Sequence, residues 1–166
     1  MNYATIKNCD IANGPGVRVS LFVSGCTHRC PGCFNEVAWD FAYGEPFTQE
    51  TIDLIIDMLR PAYIRGLTLL GGEPFEPQNQ GAVVELLRQI KKELPEKSIW
   101  AFSGYLFDKD ILSGRLGDCS EYLSYLDVLF AGHMAARSVR YFLVVLMAGL
   151  IWPMSFRWFS KIGVKK

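Results

Sequence analysis

The sequence predicts an α/β fold in which helices connect the strands of a mostly parallel sheet. Short apolar and β-branched runs alternate along the chain with stretches of helical periodicity. Turn residues or helix caps separate these runs, and strands that alternate with helices in this way pair in parallel through crossover connections. The chain has 166 residues, which is enough for one domain with a core and too few for two comfortable ones.

The elements follow from the pattern in chain order. A turn signal, "NGPG" at 13–16, precedes the first strand. In the first helix, Ile52, Ile55 and Leu59 recur at helical spacing, and Pro61 follows its end. We predict strands at 17–24, 66–70, 97–105 and 126–132, helices at 47–61 and 79–95, and a short helix around Tyr122.

Bulk composition limits the class of protein. Half of the residues are hydrophobic, which excludes general disorder, and the zero net charge gives no indication of a nucleic-acid partner. The first residues lack the basic and then apolar pattern of a secretory leader. Five cysteines, three of them crowded together, argue against a disulfide framework and favour a reducing cytoplasm with a metal site or a reactive thiol.

The crowded cysteines lie in "SGCTHRCPGCFNE", residues 24–36, with the spacing C-x3-C-x2-C. Cys26, Cys30 and Cys33 would offer thiolates, which suit zinc, copper(I) or an iron–sulfur cluster. A structural zinc site normally takes four protein ligands, whereas a four-iron cluster held by three cysteines leaves one iron open for an outside ligand. The spacing favours a cluster over zinc, and a redox thiol pair is the third interpretation.

A fourth protein ligand for zinc would have to come from elsewhere. Cys9, Cys119 and His28 are the candidates, and none has a paired spacing. We expect Cys9 and Cys119 to be ordinary free thiols and His28 to be an exposed loop histidine.

Three loops are expected to meet at one edge of the sheet. Ligands of parallel α/β sheets bind at the carboxyl ends of the strands. The strands are followed by the cysteine loop, by "GGEP" at 71–74 and by "SGY" at 103–105. These loops should therefore lie on one rim.

The cysteine motif after the first strand, with "GGEP" after the second, resembles the radical S-adenosylmethionine enzymes. Residues 13–35, "NGPGVRVSLFVSGCTHRCPGCFN", resemble the glycyl-radical-enzyme activases, and among them those that activate anaerobic ribonucleoside-triphosphate reductases. The resemblance covers roughly residues 8 to 132. It implies a partial (β/α) barrel of radical S-adenosylmethionine type.

The resemblance also implies the site. Cys26, Cys30 and Cys33 would hold a [4Fe–4S] cluster, and S-adenosylmethionine would bind the open iron. No side chain would be catalytic, because cluster and cofactor carry the chemistry. The implied cofactor contacts are Gly32, Cys33, Phe34, Gly71, Gly72, Glu73 and Ser103.

Several of these contacts have ordinary alternatives. Phe34 would pack either on the adenine or in the core, and Ser103 would touch the cofactor, cap a turn or face solvent. Glu73 and its neighbours would receive the ammonium group of the cofactor. Gly71 and Gly72 would let the backbone approach it closely.

The implied reaction is abstraction of a hydrogen atom from a glycine of the partner by a 5′-deoxyadenosyl radical. The partner would be the large subunit of an anaerobic ribonucleoside-triphosphate reductase. The chain has no room for a ferredoxin-like insert, so the electron would come from an external one-electron donor such as flavodoxin. The alternatives are an activase of another glycyl-radical enzyme, another radical S-adenosylmethionine enzyme, or a non-catalytic metal- or cluster-binding module.

The last part of the chain does not match the rest. All 17 acidic residues and 11 of the 17 basic residues lie in residues 1–130, whereas 131–166 hold six basic residues and no acidic one. We therefore predict a core domain at 1–132 and an atypical apolar and basic tail at 133–166. The favoured interpretation of the tail is a frameshifted reading frame.

The tail is also compatible with a helix. Residues 141–156 are uncharged, but a spanning helix needs about 20 apolar residues. A membrane-associated helix or a buried terminal helix would fit this shorter run.

Overall fold

A computed structural model describes residues 1–132, 142–147 and 150–154. Its strands are β1 Asn2–Asp10, β2 Val17–Val23, β3 Glu45–Pro46, β4 Ile64–Gly71, β5 Ser98–Ser103, β6 Val128–Ala131, β7 Phe142–Met147 and β8 Leu150–Met154. Its α-helices are α1 Gln49–Leu59, α2 Pro77–Glu93 and α3 Ser120–Tyr125. A 3-10 turn covers Glu36–Trp39, and a π-helical turn covers Phe107–Ile111.

The strands form one sheet in the order β3-β1-β2-β4-β5-β6-β7-β8. The pairs β2–β4, β4–β5 and β5–β6 are parallel, and α1 and α2 connect the first three of these strands. The pairs that flank this centre are antiparallel. The predicted α/β class is thus confirmed, with parallel pairing concentrated in the middle of the sheet.

Helices and strands share one hydrophobic core. In β2, Val19, Leu21 and Val23 are fully buried in the core. Their neighbours Arg18 and Ser20 are buried as well, as expected of a central strand that is covered on both faces. The three apolar residues cluster with the apolar stripes of α1 and α2. The helical members are Ile52, Ile55, Ile56, Leu59, Val83, Leu86, Leu87 and Ile90.

The starts of the first two helices follow from their sequences. Thr48 and Thr51 form a reciprocal capping box at the start of α1. Pro77 stands in the first turn of α2, where a missing N–H costs nothing because that group would lack a helical partner. Each helix therefore begins at residues that favour a helix start.

The tail contains strands within the range where a helix was considered. β7 pairs antiparallel with β6, and β8 pairs antiparallel with β7. A helix over 141–156 is therefore wrong for the residues of β7 and β8. No helix in the described ranges is long and apolar enough to cross a membrane.

Predictions for 133–141, 148–149 and 155–166 lie outside the described residues. The domain boundary at residue 132 and the frameshift stay predictions.

Candidate cofactor site

The register of the parallel strands brings the three predicted loops to one rim. Val23 of β2 pairs with Gly71 of β4, so both strands end at the same level. The Gly72 N–H donates to the Val23 carbonyl at 2.8 Å, and the Glu73 N–H donates to the Gly25 carbonyl at 2.8 Å. The "GGEP" loop is thereby joined directly to the start of the cysteine loop.

The first half of the cysteine loop, residues 25–28, is held from two sides. The Gly25 N–H donates to the Ala38 carbonyl at 2.8 Å, and the Cys26 N–H donates to the Trp39 carbonyl at 3.2 Å. On the other side, the backbone N–H of Thr27 donates to Glu76 Oε1 at 2.8 Å. The main chain on both sides of the first cysteine is therefore fixed by the surrounding protein.

Glu73 faces the protein rather than solvent, with 1% of its side chain exposed. Its Oε1 accepts the Phe75 N–H at 2.8 Å, and its Oε2 accepts the Gly104 N–H at 2.7 Å. The same Oε2 lies 3.2 Å from His28 Nε2. The carboxylate thus links the ends of β4 and β5 to the cysteine loop, and a contact with the cofactor ammonium stays a prediction.

His28 is not the exposed loop residue that we expected. Its side chain is 11% exposed, and its ring packs on Tyr105 with the centroids 4.3 Å apart. The expectation is wrong because Glu73 and Tyr105, both distant in sequence, enclose the imidazole.

The second half of the cysteine loop, residues 29–35, has fewer such contacts with the described parts of the chain. The Cys33 N–H donates to the Cys30 carbonyl at 3.1 Å, and the Asn35 N–H donates to Cys33 Sγ at 3.4 Å. Gly32 has a φ of 74°, and a Cβ built there would meet no atom within 4 Å. Phe34 is 85% exposed, so packing of its ring in the core is wrong.

The paired glycines are required by the protein's own backbone. A Cβ on Gly71 would lie 2.7 Å from the Val23 nitrogen and oxygen, and the φ of Gly71 is 110°. A Cβ on Gly72 would lie 2.5 Å from the Gly25 carbonyl oxygen. These contacts explain both glycines without a ligand, so close approach to the cofactor stays a prediction.

The remaining predicted residues have simple environments. Ser103 Oγ accepts the Tyr105 N–H at 3.1 Å, which makes a turn at the end of β5. Cys9 is exposed and Cys119 is buried, and both are free thiols, as predicted.

Sequence analysis missed Glu76. This carboxylate is 4% exposed and accepts hydrogen bonds from Thr27 and Tyr105. It lies before the helix predicted at 79–95, and no local pattern connects it to a threonine 49 positions earlier.

Two thiols of the loop are held in their neutral form. Burial raises the pKa of Cys26 to about 11, and the charges of Glu73 and Glu76 act in the same direction. Burial also raises the pKa of Cys30, and the neighbouring Cys33 adds to that effect. Because metal ligation needs thiolates, binding of a metal centre here releases protons.

The donor set fits a cluster better than a single ion. No three His, Cys, Asp or Glu side chains in the described ranges are grouped so as to hold one metal ion. In a cluster each thiolate binds a different iron, so three sulfurs need not converge on one point. Three soft donors on one loop satisfy that requirement.

A cavity of about 720 Å³ opens beside the first cysteine. Such a volume is typical of small-molecule sites. Its lining includes Cys26, Arg29, Trp39, Phe41 and Tyr43. Of the predicted site residues Cys26 alone belongs to this lining, so the other cysteines and the "GGEP" loop lie outside the cavity.

Comparison with known proteins agrees with this donor set. The profile of the family described as "4Fe-4S single cluster domain" matches residues 12–141. The anaerobic ribonucleoside-triphosphate reductase-activating protein of Enterobacteria phage T4 is 44% identical over 132 residues, which cover 80% of each chain. The chain belongs to the family of these activating proteins.

Two bacterial members of the family are similarly close. The activating protein of Vibrio cholerae is 43% identical over 135 residues, covering 80% of this chain and 83% of the relative. That of Escherichia coli is 45% identical over 111 residues, covering 66% and 72%. Membership confirms the predicted radical S-adenosylmethionine enzyme of glycyl-radical-activating type, with a [4Fe–4S] cluster and S-adenosylmethionine as cofactors.

Proposed function

We propose that this chain activates an anaerobic ribonucleoside-triphosphate reductase by generating a glycyl radical on its large subunit. The observation that carries the proposal is the three-cysteine loop, joined through the Glu73 N–H to the "GGEP" loop on one rim of the sheet. When bound, the cluster and S-adenosylmethionine supply one-electron cleavage of the sulfonium to methionine and a 5′-deoxyadenosyl radical, which takes a hydrogen atom from a glycine.

Cys26, Cys30 and Cys33 would each bind a different iron as a thiolate. Three protein ligands leave the fourth iron for the cofactor, which is the reason for a loop with three cysteines rather than four. The further cofactor contacts that we propose are Gly32, Phe34, Gly71, Gly72, Glu73 and Ser103.

Support for these contacts differs from residue to residue. The exposed ring of Phe34 is available to stack on a planar ligand. Gly71 and Gly72 lie at the end of β4, beside the end of β2 from which the cysteine loop leaves. The Glu73 carboxylate already accepts the Phe75 and Gly104 N–H groups, so a contact with the cofactor ammonium would share these oxygens with the protein.

We propose a partial barrel of radical S-adenosylmethionine type for a core domain at 1–132. The four parallel strands β2, β4, β5 and β6, with their crossover helices, support this. An external electron donor such as flavodoxin and a cytoplasmic location complete the proposal. Five free cysteines fit a reducing compartment.

The test is anaerobic reconstitution with iron and sulfide, followed by dithionite and S-adenosylmethionine. The chain should form 5′-deoxyadenosine, and with the reductase large subunit it should give a glycyl radical visible by electron paramagnetic resonance. Cys30→Ala should form neither product, and Cys9→Ala, an exposed cysteine outside the loop, should form both.

The outcomes separate the alternatives. Formation of 5′-deoxyadenosine without a radical on the reductase would point to a different glycyl-radical partner. A fully loaded cluster that forms no 5′-deoxyadenosine above the Cys30→Ala control would show that this chain is a non-catalytic module.

A further inference from the structure

We propose that Glu76 is a positioning residue that holds the cysteine loop in the conformation from which Cys26 binds the cluster. The proposal rests on the proposed function for its cluster, and on the geometry around Glu76 for the rest. Glu76 lies outside both sequence motifs of the site and touches none of the three cysteines through its hydrogen bonds.

The main chain of Glu76 is firmly placed at the start of α2. Its N–H donates to the Glu73 carbonyl at 3.1 Å. Its own carbonyl accepts the N–H groups of Asn79 at 2.8 Å and Gln80 at 3.1 Å. The side chain makes no capping bond to its own helix and is free to reach across the rim.

One carboxylate oxygen gathers three donors. Glu76 Oε1 accepts the Thr27 N–H at 2.8 Å, the Thr27 hydroxyl at 2.6 Å and the Tyr105 hydroxyl at 3.1 Å. Hydrogen bonds to an ionised acceptor are shorter and about twice as strong as neutral ones. Because Thr27 directly follows Cys26, these bonds fix the direction in which the chain leaves the first cysteine.

The same carboxylate acts on His28 through Tyr105. The Tyr105 hydroxyl is bound to Glu76, and its ring packs on the His28 ring at 4.3 Å. Both residues that follow Cys26 are therefore held by Glu76, one directly and one through an aromatic ring. Beyond His28 this control ends, since Cys30 and Cys33 have no bond to Glu76 among the described contacts.

The Glu76 carboxylate is buried, and removing a carboxylate from water costs free energy. The side chain is 4% exposed, and none of the ion pairs in the described ranges includes it. A buried charge without a cationic partner is unfavourable unless it is well hydrogen-bonded. The three hydrogen bonds from Thr27 and Tyr105 meet that need, so the burial of Glu76 is tied to its hold on the cysteine loop.

The experiment uses the full chain, reconstituted anaerobically, with Glu76→Ala and Glu76→Gln. Three quantities are measured: the rate of iron loss to a chelator, the electron paramagnetic resonance spectrum of the reduced cluster, and hydrogen exchange of residues 25–28 in the iron-free chain. Glu93→Ala is the matched control, because Glu93 is an exposed carboxylate of α2 that pairs with Arg60 at 2.8 Å.

Glu76→Ala should lose iron about tenfold or more faster, as expected when charge-assisted bonds to a loop are lost. It should also broaden the resonance and speed exchange at residues 25–28. Glu76→Gln keeps an oxygen acceptor in place. Its rate of iron loss, its resonance spectrum and its hydrogen exchange at residues 25–28 should therefore be close to those of the wild type. Glu93→Ala should match the wild type in all three measurements. In the activity assay, Glu76→Ala should raise the KM for S-adenosylmethionine more than it lowers kcat.

Wild-type iron loss, spectrum and exchange in Glu76→Ala would overturn the proposal. If Glu76→Ala does not fold, Thr27→Val decides: it removes the hydroxyl donor and keeps the N–H. Faster iron loss in Thr27→Val would support the proposal, and an unchanged rate would overturn it.

The readouts also separate this proposal from the proposed function. None of the three needs the reductase. If the wild type forms no glycyl radical while Glu76→Ala still loses iron faster, the proposed function fails and the role of Glu76 stands.

Discussion

The two halves of the cysteine loop are built in different ways. Residues 25–28 are tied to the 3-10 turn, to the "GGEP" loop and to Glu76. Residues 29–35 make few bonds to other parts of the chain that the structure describes, and they include an exposed phenylalanine and a glycine with open space around it. Within the described residues, the fold therefore holds the main chain around Cys26 by more contacts than that around Cys30 and Cys33, the other two proposed ligands.

This division has a physical reason. Ordering a residue costs roughly 1–2 kcal/mol of backbone entropy. A metal centre that closes a loop can supply that free energy at the moment of binding. If the cluster binds as proposed, Cys26 would be presented to iron by a main chain that is already in place, and binding would supply the free energy to order the second half of the loop.

The largest effect is expected in the less constrained half. Cys33→Ala should lower the rate of 5′-deoxyadenosine formation by more than about a hundredfold, because even residues that merely support metal ligands contribute ten- to a hundredfold. The iron content of the reconstituted chain should fall in parallel.

Cys9→Ala is the control for Cys33→Ala, since Cys9 is exposed and lies outside the loop. Full activity in Cys33→Ala would mean that the second half supplies no ligand, and the comparison of the two halves would fail.

The second prediction concerns Gly72 of the "GGEP" loop, which contacts the first half of the cysteine loop. A Cβ on Gly72 would meet the Gly25 oxygen at 2.5 Å and the Ala38 oxygen at 3.0 Å. Gly72→Ala should therefore lower the free energy of unfolding of the iron-free chain by about 2 kcal/mol. Urea denaturation followed by circular dichroism measures this change.

Gly81→Ala is the matched control for Gly72→Ala. Gly81 lies inside α2, where a Cβ meets no atom within 4 Å, and alanine is a better helix former than glycine. The control should be slightly more stable than the wild type. Equal stability of the wild type and Gly72→Ala would contradict the prediction. It would show that the backbone where the two loops meet shifts to make room for a Cβ at little cost in free energy.

Much of the rim could be predicted from the sequence, because strand order alone places strand ends. Parallel strands at 17–24 and 66–70 had to end on the same edge, and Val23 does pair with Gly71. The helical stripe of α1 likewise followed from the spacing of Ile52, Ile55 and Leu59. These features repeat with a local period, and the sequence displays such periods directly.

The contacts that fix the loop have no such period. Glu76 meets Thr27 across 49 positions, and His28 meets Glu73 across 45. The apolar run in the tail was ambiguous for another reason: an uncharged stretch of that length suits a helix or a strand hairpin equally, and β7 and β8 form the hairpin.

The third prediction concerns the pKa of Cys26 and the rate at which its thiol is alkylated. Burial, aided by Glu73 and Glu76, raises the pKa of Cys26 to about 11. Raising the pH from 7 to 9 should speed its alkylation about tenfold per unit, because the thiolate is the nucleophile. At pH 8, Cys26 of the iron-free chain should react about tenfold more slowly than a small free thiol, after allowance for the higher nucleophilicity of its thiolate.

Mass spectrometry of the alkylated peptides gives the rate for each cysteine. The rate at Cys26 should go on rising towards pH 11, whereas that of a small thiol levels off near its own pKa. Glu76→Gln should speed the reaction at Cys26, because removal of a negative charge favours the thiolate. A plateau below pH 9 would show that Cys26 is not held as a neutral thiol.

The smallest effect on stability is expected at Phe34. Because its side chain is 85% exposed, Phe34→Ala should change the free energy of unfolding of the iron-free chain by less than about 0.5 kcal/mol. Phe75→Ala, which removes a fully buried ring stacked on Tyr122 at 4.2 Å, should cost about 3–5 kcal/mol in the same urea titration. In the reconstituted chain Phe34→Ala should raise the KM for S-adenosylmethionine severalfold, because the variant lacks the exposed ring that we propose stacks on the adenine. A stability loss above about 1 kcal/mol in Phe34→Ala would mean that the second half of the loop already packs against the fold before the cluster binds.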